Sequence, residues 1–173
     1  YPSQVKRRTM TARSMNFPDA VRLSVRSNAL ADWNHPDIAE KAKTLSIGCY
    51  NPRERFHALH EFVRERIPFG FNEKGHLTKA SEVLAEGLGF SNTKTTLLLA
   101  LCRAAGIPAR VRFGRMRSAV LKGLVSWLPA TIPHSFIEVE LEGRYRPVDS
   151  YIVDRPLAWA ALRNLQLENR QMG

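Results

Sequence analysis

Three residues in the second half of the chain have the types needed for nucleophilic chemistry: Ser91, His134 and Asp149. Ser91 heads a segment, 91–105, whose apolar run at 97–102 reads as a buried helix closed by Gly106 and Pro108. A side chain in the first turn of such a helix is surrounded by main-chain N–H groups and the positive end of the helix dipole. A thiolate forms most readily there, and a tetrahedral oxyanion finds donors. Gly87 and Gly89, just upstream, allow backbone and substrate to come close. Taken alone, Ser91 fits a plain N-cap serine equally well.

His134 and Asp149 are related through a hairpin. Glu142-Gly143 is a two-residue turn signal between strand-like segments 135–141 and 144–149. If Leu141 faces Arg144, then Ile137 faces Val148, Phe136 faces Asp149 and His134 faces Tyr151. Alternation then puts His134, Phe136 and Asp149 on one face, with His134 and Asp149 diagonal neighbours within side-chain reach. A carboxylate so placed fixes the imidazole tautomer and stabilises the imidazolium. A surface histidine and aspartate that merely share a face are the structural alternative.

Towards the N-terminus, Val21, Leu23 and Val25 alternate as in a short strand. Asn34-His35-Pro36-Asp37 starts a helix carrying Ile38, Ala42 and Leu45. Asn51, Pro52 and Glu54 start a second, with Phe56, Leu59, His60 and Val63 at helical spacing and Pro68 as its stop. Thr78 is expected to cap a shorter helix carrying Ala80, Val83 and Leu84, which Gly87 ends. After the 91–105 helix come strands at 109–114, 135–141 and 144–149, an irregular linker at 121–132, and a last helix from Pro156. Helices first and an antiparallel sheet after them make an α+β fold. The expected organisation is a basic arm with a short strand over 1–32 and one compact catalytic domain over 33–173.

Composition sets the outer limits. A chain of 173 residues with 44% hydrophobic content suits a single core. No apolar run approaches the ~18 residues of a membrane span. The absence of a methionine before Tyr1 raises the expectation of a removed leader or upstream domain. Cys49 and Cys102 lack metal-ligand spacing and form no disulfide framework, which favours a reducing, cytoplasmic compartment. Cys102, three turns beyond Ser91, is expected to be a packing residue, and Cys49, just before a helix start, likewise.

The net charge of +10 and the pI of about 10.2 point to an anionic partner or a solvated basic surface. From 87 to 137 there is no acidic residue, while Lys94, Arg103, Arg110, Arg112, Arg115, Arg117 and Lys122 are cationic. Arg115 and Arg117 should follow the first strand as exposed rim residues. Nucleic acid is not the expected partner, because neither a recognition helix nor an aromatic-basic RNA motif is present.

Three ordered motifs carry a family resemblance. Ala80-Ser81-Glu82-Val83-Leu84 precedes Gly87-Leu88-Gly89-Phe90-Ser91-Asn92-Thr93-Lys94; a leucine-rich helix then exits through Gly106-Ile107-Pro108-Ala109-Arg110. His134-Ser135-Phe136-Ile137-Glu138-Val139 and Pro147-Val148-Asp149 follow. Over about 33–149 the chain resembles bacterial transglutaminase-like domains. The resemblance implies a papain-like fold, Cys-His-Asp chemistry on amide or thioester carbonyls through a thioacyl-enzyme, and no metal or organic cofactor. The chain departs from the family at one position: Ser91 stands where the resemblance calls for cysteine. The favoured expectation is a Cys-to-Ser inactivated enzyme. The alternative is an inactive binding module with a natural serine that recognises an acidic partner. Expected substrates are a peptide, an amide or an acyl-thioester, and a carrier protein is a candidate partner. Lys94, Arg115 and Arg117 are the candidate substrate-binding cations, with a capping or surface role open for Lys94. Phe71, near the expected oxyanion site, carries no donor.

Overall fold

The computed structural model describes residues 29–117, 130–148 and 155–168. Residues 1–28 of the expected arm and strand over 1–32, Lys122, most of the 121–132 linker, and Asp149 and Tyr151 with the pairs expected for them lie outside the described residues.

Among the described residues, four helices from Pro36 onward precede the sheet. Helix α1, Pro36–Leu45, begins with proline in its first turn; its cap is His35, whose Nδ1 accepts from the Asp37 N–H at 3.3 Å. Helix α2, Pro52–Arg66, starts from Asn51, whose Oδ1 accepts from the Glu54 N–H at 2.9 Å. The Glu54 carboxylate reaches back to the Tyr50 N–H at 2.7 Å, so orphan donors of the first turn and its approach are satisfied in pairs. A 3-10 turn, Gly75–Leu77, leads to α3, Ala80–Glu86. Thr78 does not cap α3: its hydroxyl closes the preceding 3-10 turn on the Gly75 carbonyl at 2.7 Å, and Lys79 takes the cap position. Gly87 ends α3 at φ 66°, a left-handed conformation that suits glycine.

Helix α4, Ser91–Ala104, is the centre of the molecule. Its residues 97–102 are wholly enclosed, packed by α1, α2 and α3 on one side and by the sheet on the other. A helix apolar all round can only be an interior helix. Its end is a full Schellman motif: Gly106, at φ 72°, donates to the Arg103 carbonyl, and Ile107 donates to the Cys102 carbonyl at 2.8 Å. Ile107 is buried at the same point.

Strands β1 (Ala109–Arg117), β2 (Thr131–Leu141) and β3 (Arg144–Val148) form an antiparallel sheet in the order β1-β2-β3. Glu142 at φ 56° and Gly143 at φ 73° make the tight β2–β3 turn. Leu141 pairs with Arg144 and Ile137 with Val148, the register expected from the turn. Strands β1 and β2 are longer than the sequence pattern suggested, because they pair as far as Arg117 with Thr131. Thr131 and Ile132 are therefore strand rather than linker. Helix α5, Arg155–Leu167, buries Leu165.

On α2, burial first and then the positive charge of Arg64, with a further contribution from Lys94, push the His60 pKa down from 6.5 to about 4, against a raising effect of Glu61. Between these values the unfolded chain binds a proton that the folded chain refuses, so stability falls as pH drops from 6.5 towards 4. His60 is partly exposed, so screening limits the loss to about 1 kcal/mol. His60→Gln should narrow the difference between urea midpoints measured at pH 7 and pH 5. An unchanged difference would remove His60 as its source.

Candidate active site

Ser91 is the first residue of α4 and is half-buried. The turn before it is clamped from both sides. Gly70 donates to the Gly89 carbonyl at 3.1 Å, and Gly89 donates to the Pro68 carbonyl at 3.0 Å. The Thr93 hydroxyl accepts from the Phe90 N–H at 3.0 Å, the interaction a capping residue three positions into a helix provides. A Cβ at Gly89 would lie 2.8 Å from that hydroxyl, so the close approach requires glycine at 89.

The β-sheet is tied to this turn at one residue, Ser135. Asn92 Oδ1 accepts from the Ser135 N–H at 3.2 Å and from its hydroxyl at 2.7 Å. Thr95 Oγ1 lies 3.1 Å from the Ser135 carbonyl and 2.7 Å from that of Ser91. Ser135 lies two residues beyond the last described β2–β3 pair, Ile137 with Val148. There, its main-chain groups are satisfied by side chains of α4. The first turn of the helix and the start of the buried part of β2 thus meet at one corner.

His134, next to Ser135, is 6% exposed and faces Gly114 in the β1–β2 register. Glycine at 114 puts no side chain beside the imidazole. Alternation places Ser135, Ile137, Val139 and Leu141 towards the helices and His134 on the other face with Phe136. Asp149, the expected partner of His134, lies outside the described residues.

The other candidate residues are placed as follows. Lys94 is neither a surface residue nor an N-terminal cap: it is 0% exposed, and its Nζ donates to the Arg64 carbonyl at 3.3 Å in the last turn of α2. An ammonium enclosed between two helices is turned away from any solvent-borne substrate group, which corrects its expected substrate-binding position. Arg115 and Arg117 are exposed as expected, but they belong to β1 rather than to a loop after it, opposite Pro133 and Thr131. Arg115 donates to the Thr131 hydroxyl at 2.9 Å. Of the remaining cations in the acid-free stretch, Arg110 and Arg112 share the Glu138 carboxylate at 2.6 and 3.3 Å, and Arg103 donates to the Ala109 carbonyl. Glu138 lies one residue past that stretch, so a charge run read linearly overstates the free positive charge.

Phe71 is 70% exposed and stacks on Phe90 with centroids 4.9 Å apart; His76 packs edge-on against Phe90 from another side. The sequence pattern had not singled out Asn92, Thr95 or Ser135. Their one visible signal is polarity on a helix and a strand otherwise apolar towards the core. Among the described residues, no group of three or more His, Cys, Asp or Glu side chains is placed to hold a metal ion, and no helix is long and apolar enough to cross a membrane.

Comparison with known proteins places this geometry. The sequence profile of the transglutaminase-like superfamily matches residues 39–150, well over half of the chain. No curated protein matches. Among the solved structures that are similar, two have a TM-score of 0.55 each. One is a candidate cysteine protease from Cytophaga hutchinsonii, 18% identical over 81% of this chain and 44% of its own. The other is a candidate protease from Parabacteroides distasonis, 15% identical over 74% of this chain and 26% of its own. The chain therefore spans less than half the length of either, and at these identities the likeness is one of fold.

Cys102 is fully buried, and burial pushes its thiol well above the ordinary range. Cys49 is partly exposed just past the turn that follows α1, with Sγ 3.8 Å from the Leu45 carbonyl. Iodoacetamide should label Cys49 and leave Cys102 untouched in the native chain, as read by mass spectrometry. Comparable labelling of both would mean that α4 opens on the labelling timescale.

Proposed function

The chain belongs to the transglutaminase-like superfamily, and from that premise we propose that position 91, His134 and Asp149 form an acyl-transfer site of the Cys-His-Asp type. The substrates in this reading are amide or thioester carbonyls. The observation that supports it is the double hydrogen bond from Ser135 to Asn92, with Thr95 beside the Ser135 carbonyl, which ties the strand position next to His134 to the first turn of α4. Cysteine at 91 gives its proton to His134 and attacks the carbonyl carbon; a C–S bond forms as the carbonyl π pair moves onto oxygen. First-turn N–H groups of α4 receive the oxyanion. Collapse breaks the bond to the leaving amine or thiol, which departs with the proton held by His134. Water or an amine then attacks the thioacyl carbon, His134 takes its proton, and the thiolate departs. Asp149 keeps the imidazole in the tautomer that these transfers need.

With Ser91 the chain is the inactivated form of this enzyme. A hydroxyl is not appreciably ionised near neutrality, so the thiolate–imidazolium pair is lost and His134 must act as a true general base. Ser91 is also the observation that favours a second reading: a binding module that uses the same corner without turnover.

The test is the Ser91→Cys form. Its new thiol should react with iodoacetamide faster than Cys49 or Cys102, and His134→Ala should slow it roughly tenfold by raising the thiol pKa. Labelling no faster than at Cys49 and indifferent to His134 would leave the binding module.

The acyl donor or acceptor in this proposal is acidic, a carrier protein or an acidic peptide. Arg115 and Arg117 support it: both are exposed, and Arg115 adjoins Gly114, the residue facing His134. Charge at such a rim acts mainly on the association rate and fades with salt. Replacing Arg115 and Arg117 by Glu should slow association of an acidic peptide about tenfold at low ionic strength and little at high salt. Equal rates at low salt would make the rim a plain solvated surface.

A further inference from the structure

The Asn92 amide has its two ends on different elements. Its oxygen accepts from Ser135 on β2, and one of those donors is a main-chain N–H, which can only donate. The amide orientation is therefore set: the carbonyl faces Ser135 and the NH₂ faces the other way. On that side Asn92 Nδ2 lies 3.2 Å from His76 Nδ1, in the 3-10 turn between α2 and α3. An amide nitrogen only donates, so His76 Nδ1 must be the acceptor and carry no proton. The proton of the neutral ring then sits on Nε2.

The surroundings of His76 suit that form. Its ring packs edge-on against Phe90 at 4.8 Å, the residue immediately before Ser91. His76 is exposed, but packing of the ring on Phe90 removes part of its hydration and lowers its pKa, which disfavours the imidazolium that would place a second donor against Asn92. The turn itself is braced, with Asn72 Oδ1 accepting from the Gly75 N–H at 2.9 Å and the Thr78 hydroxyl closing it on the Gly75 carbonyl.

We propose that His76 is a positioning residue: as a neutral Nδ1 acceptor it orients the Asn92 amide, and Asn92 in turn holds Ser135, and with it His134, at the nucleophile turn. The inference deepens the acyl-transfer reading and rests on it for its consequence in reactivity, whereas the His76–Asn92–Ser135 chain itself is a matter of geometry. A histidine outside the catalytic set thus governs where the catalytic histidine sits. No step of proton transfer passes through His76.

The experiment has two arms. In the chain as it stands, nitrogen NMR at pH 7.5 should find His76 Nδ1 unprotonated and Nε2 protonated. A proton on Nδ1 overturns the proposal without any variant. In the second arm, His76→Phe keeps a ring against Phe90 but removes the acceptor. His76→Asn places a carbonyl oxygen as many bonds from Cβ as Nδ1 is and restores it. His76→Phe should shift the His134 ring resonances and slow alkylation of the Ser91→Cys thiol about threefold to tenfold, the scale of one net hydrogen bond. His76→Asn should bring both back towards the parent. A folded His76→Phe with His134 resonances and alkylation rate unchanged, or a His76→Asn no better than Phe, overturns the proposal. If Ser91→Cys is no more reactive than Cys49 in the parent, the acyl-transfer reading fails; the His76 tautomer and the His134 shifts still decide this one.

Discussion

Helix α4 is enclosed on every side from Thr93 to Cys102, and a helix in that position must satisfy both of its ends within the protein. The C-terminal end does so with the Schellman turn at Gly106 and Ile107. At the N-terminal end, Thr93 closes the turn on Phe90 while Asn92 and Thr95 reach across to Ser135. The first-turn N–H groups at Ser91 are thereby held in one orientation beside the sheet. Burial of α4 is what makes that orientation rigid: rotating the helix would expose Leu97 to Leu101, at about 1.5–3 kcal/mol for each leucine brought into water.

Lys94 extends the same constraint to the helical layer. A buried ammonium costs several kcal/mol unless it is hydrogen-bonded, and the Arg64 carbonyl at the negative end of α2 is a favourable site for it. One lysine thus fastens the C-terminus of α2 to the N-terminal half of α4. Its charge also lies one turn along the helix from position 91, where it adds to the positive potential of the helix end. The neighbouring His60 registers that field, since Arg64 and Lys94 both add to burial in keeping it neutral.

The basic character of the chain divides once the strands are paired. Arg110 and Arg112 spend their charge on Glu138, and Arg110 also lies over the Tyr145 ring at 4.0 Å. These contacts stabilise the outer face of the sheet and leave it less positive than its composition implies. Arg115 and Arg117 keep their exposure because β1 runs on past Gly114 to the end of the β1–β2 ladder.

Local signals were enough for the helix starts at Asn34–Asp37 and Asn51–Glu54, the interior helix after Ser91, and the hairpin register through Ile137 and Val148. Each rests on a short-range rule: a cap, a proline in the first turn, an apolar run, or a two-residue turn that makes every later pair follow by counting. Thr78 missed the α3 cap by one residue, because a threonine hydroxyl can close a turn behind it as readily as cap a helix ahead. The candidate nucleophile and histidine were likewise visible as residue types. The tie between the first turn of α4 and the strand position next to His134 was not, since it depends on Asn92 and Thr95 finding Ser135 forty or more positions away. The same holds for the burial of Lys94 and the pairing of Arg110 with Glu138. Whether a charge or an amide faces water or a partner is set by which distant group, main-chain or side-chain, folding brings within hydrogen-bonding distance, and only the tertiary structure decides that.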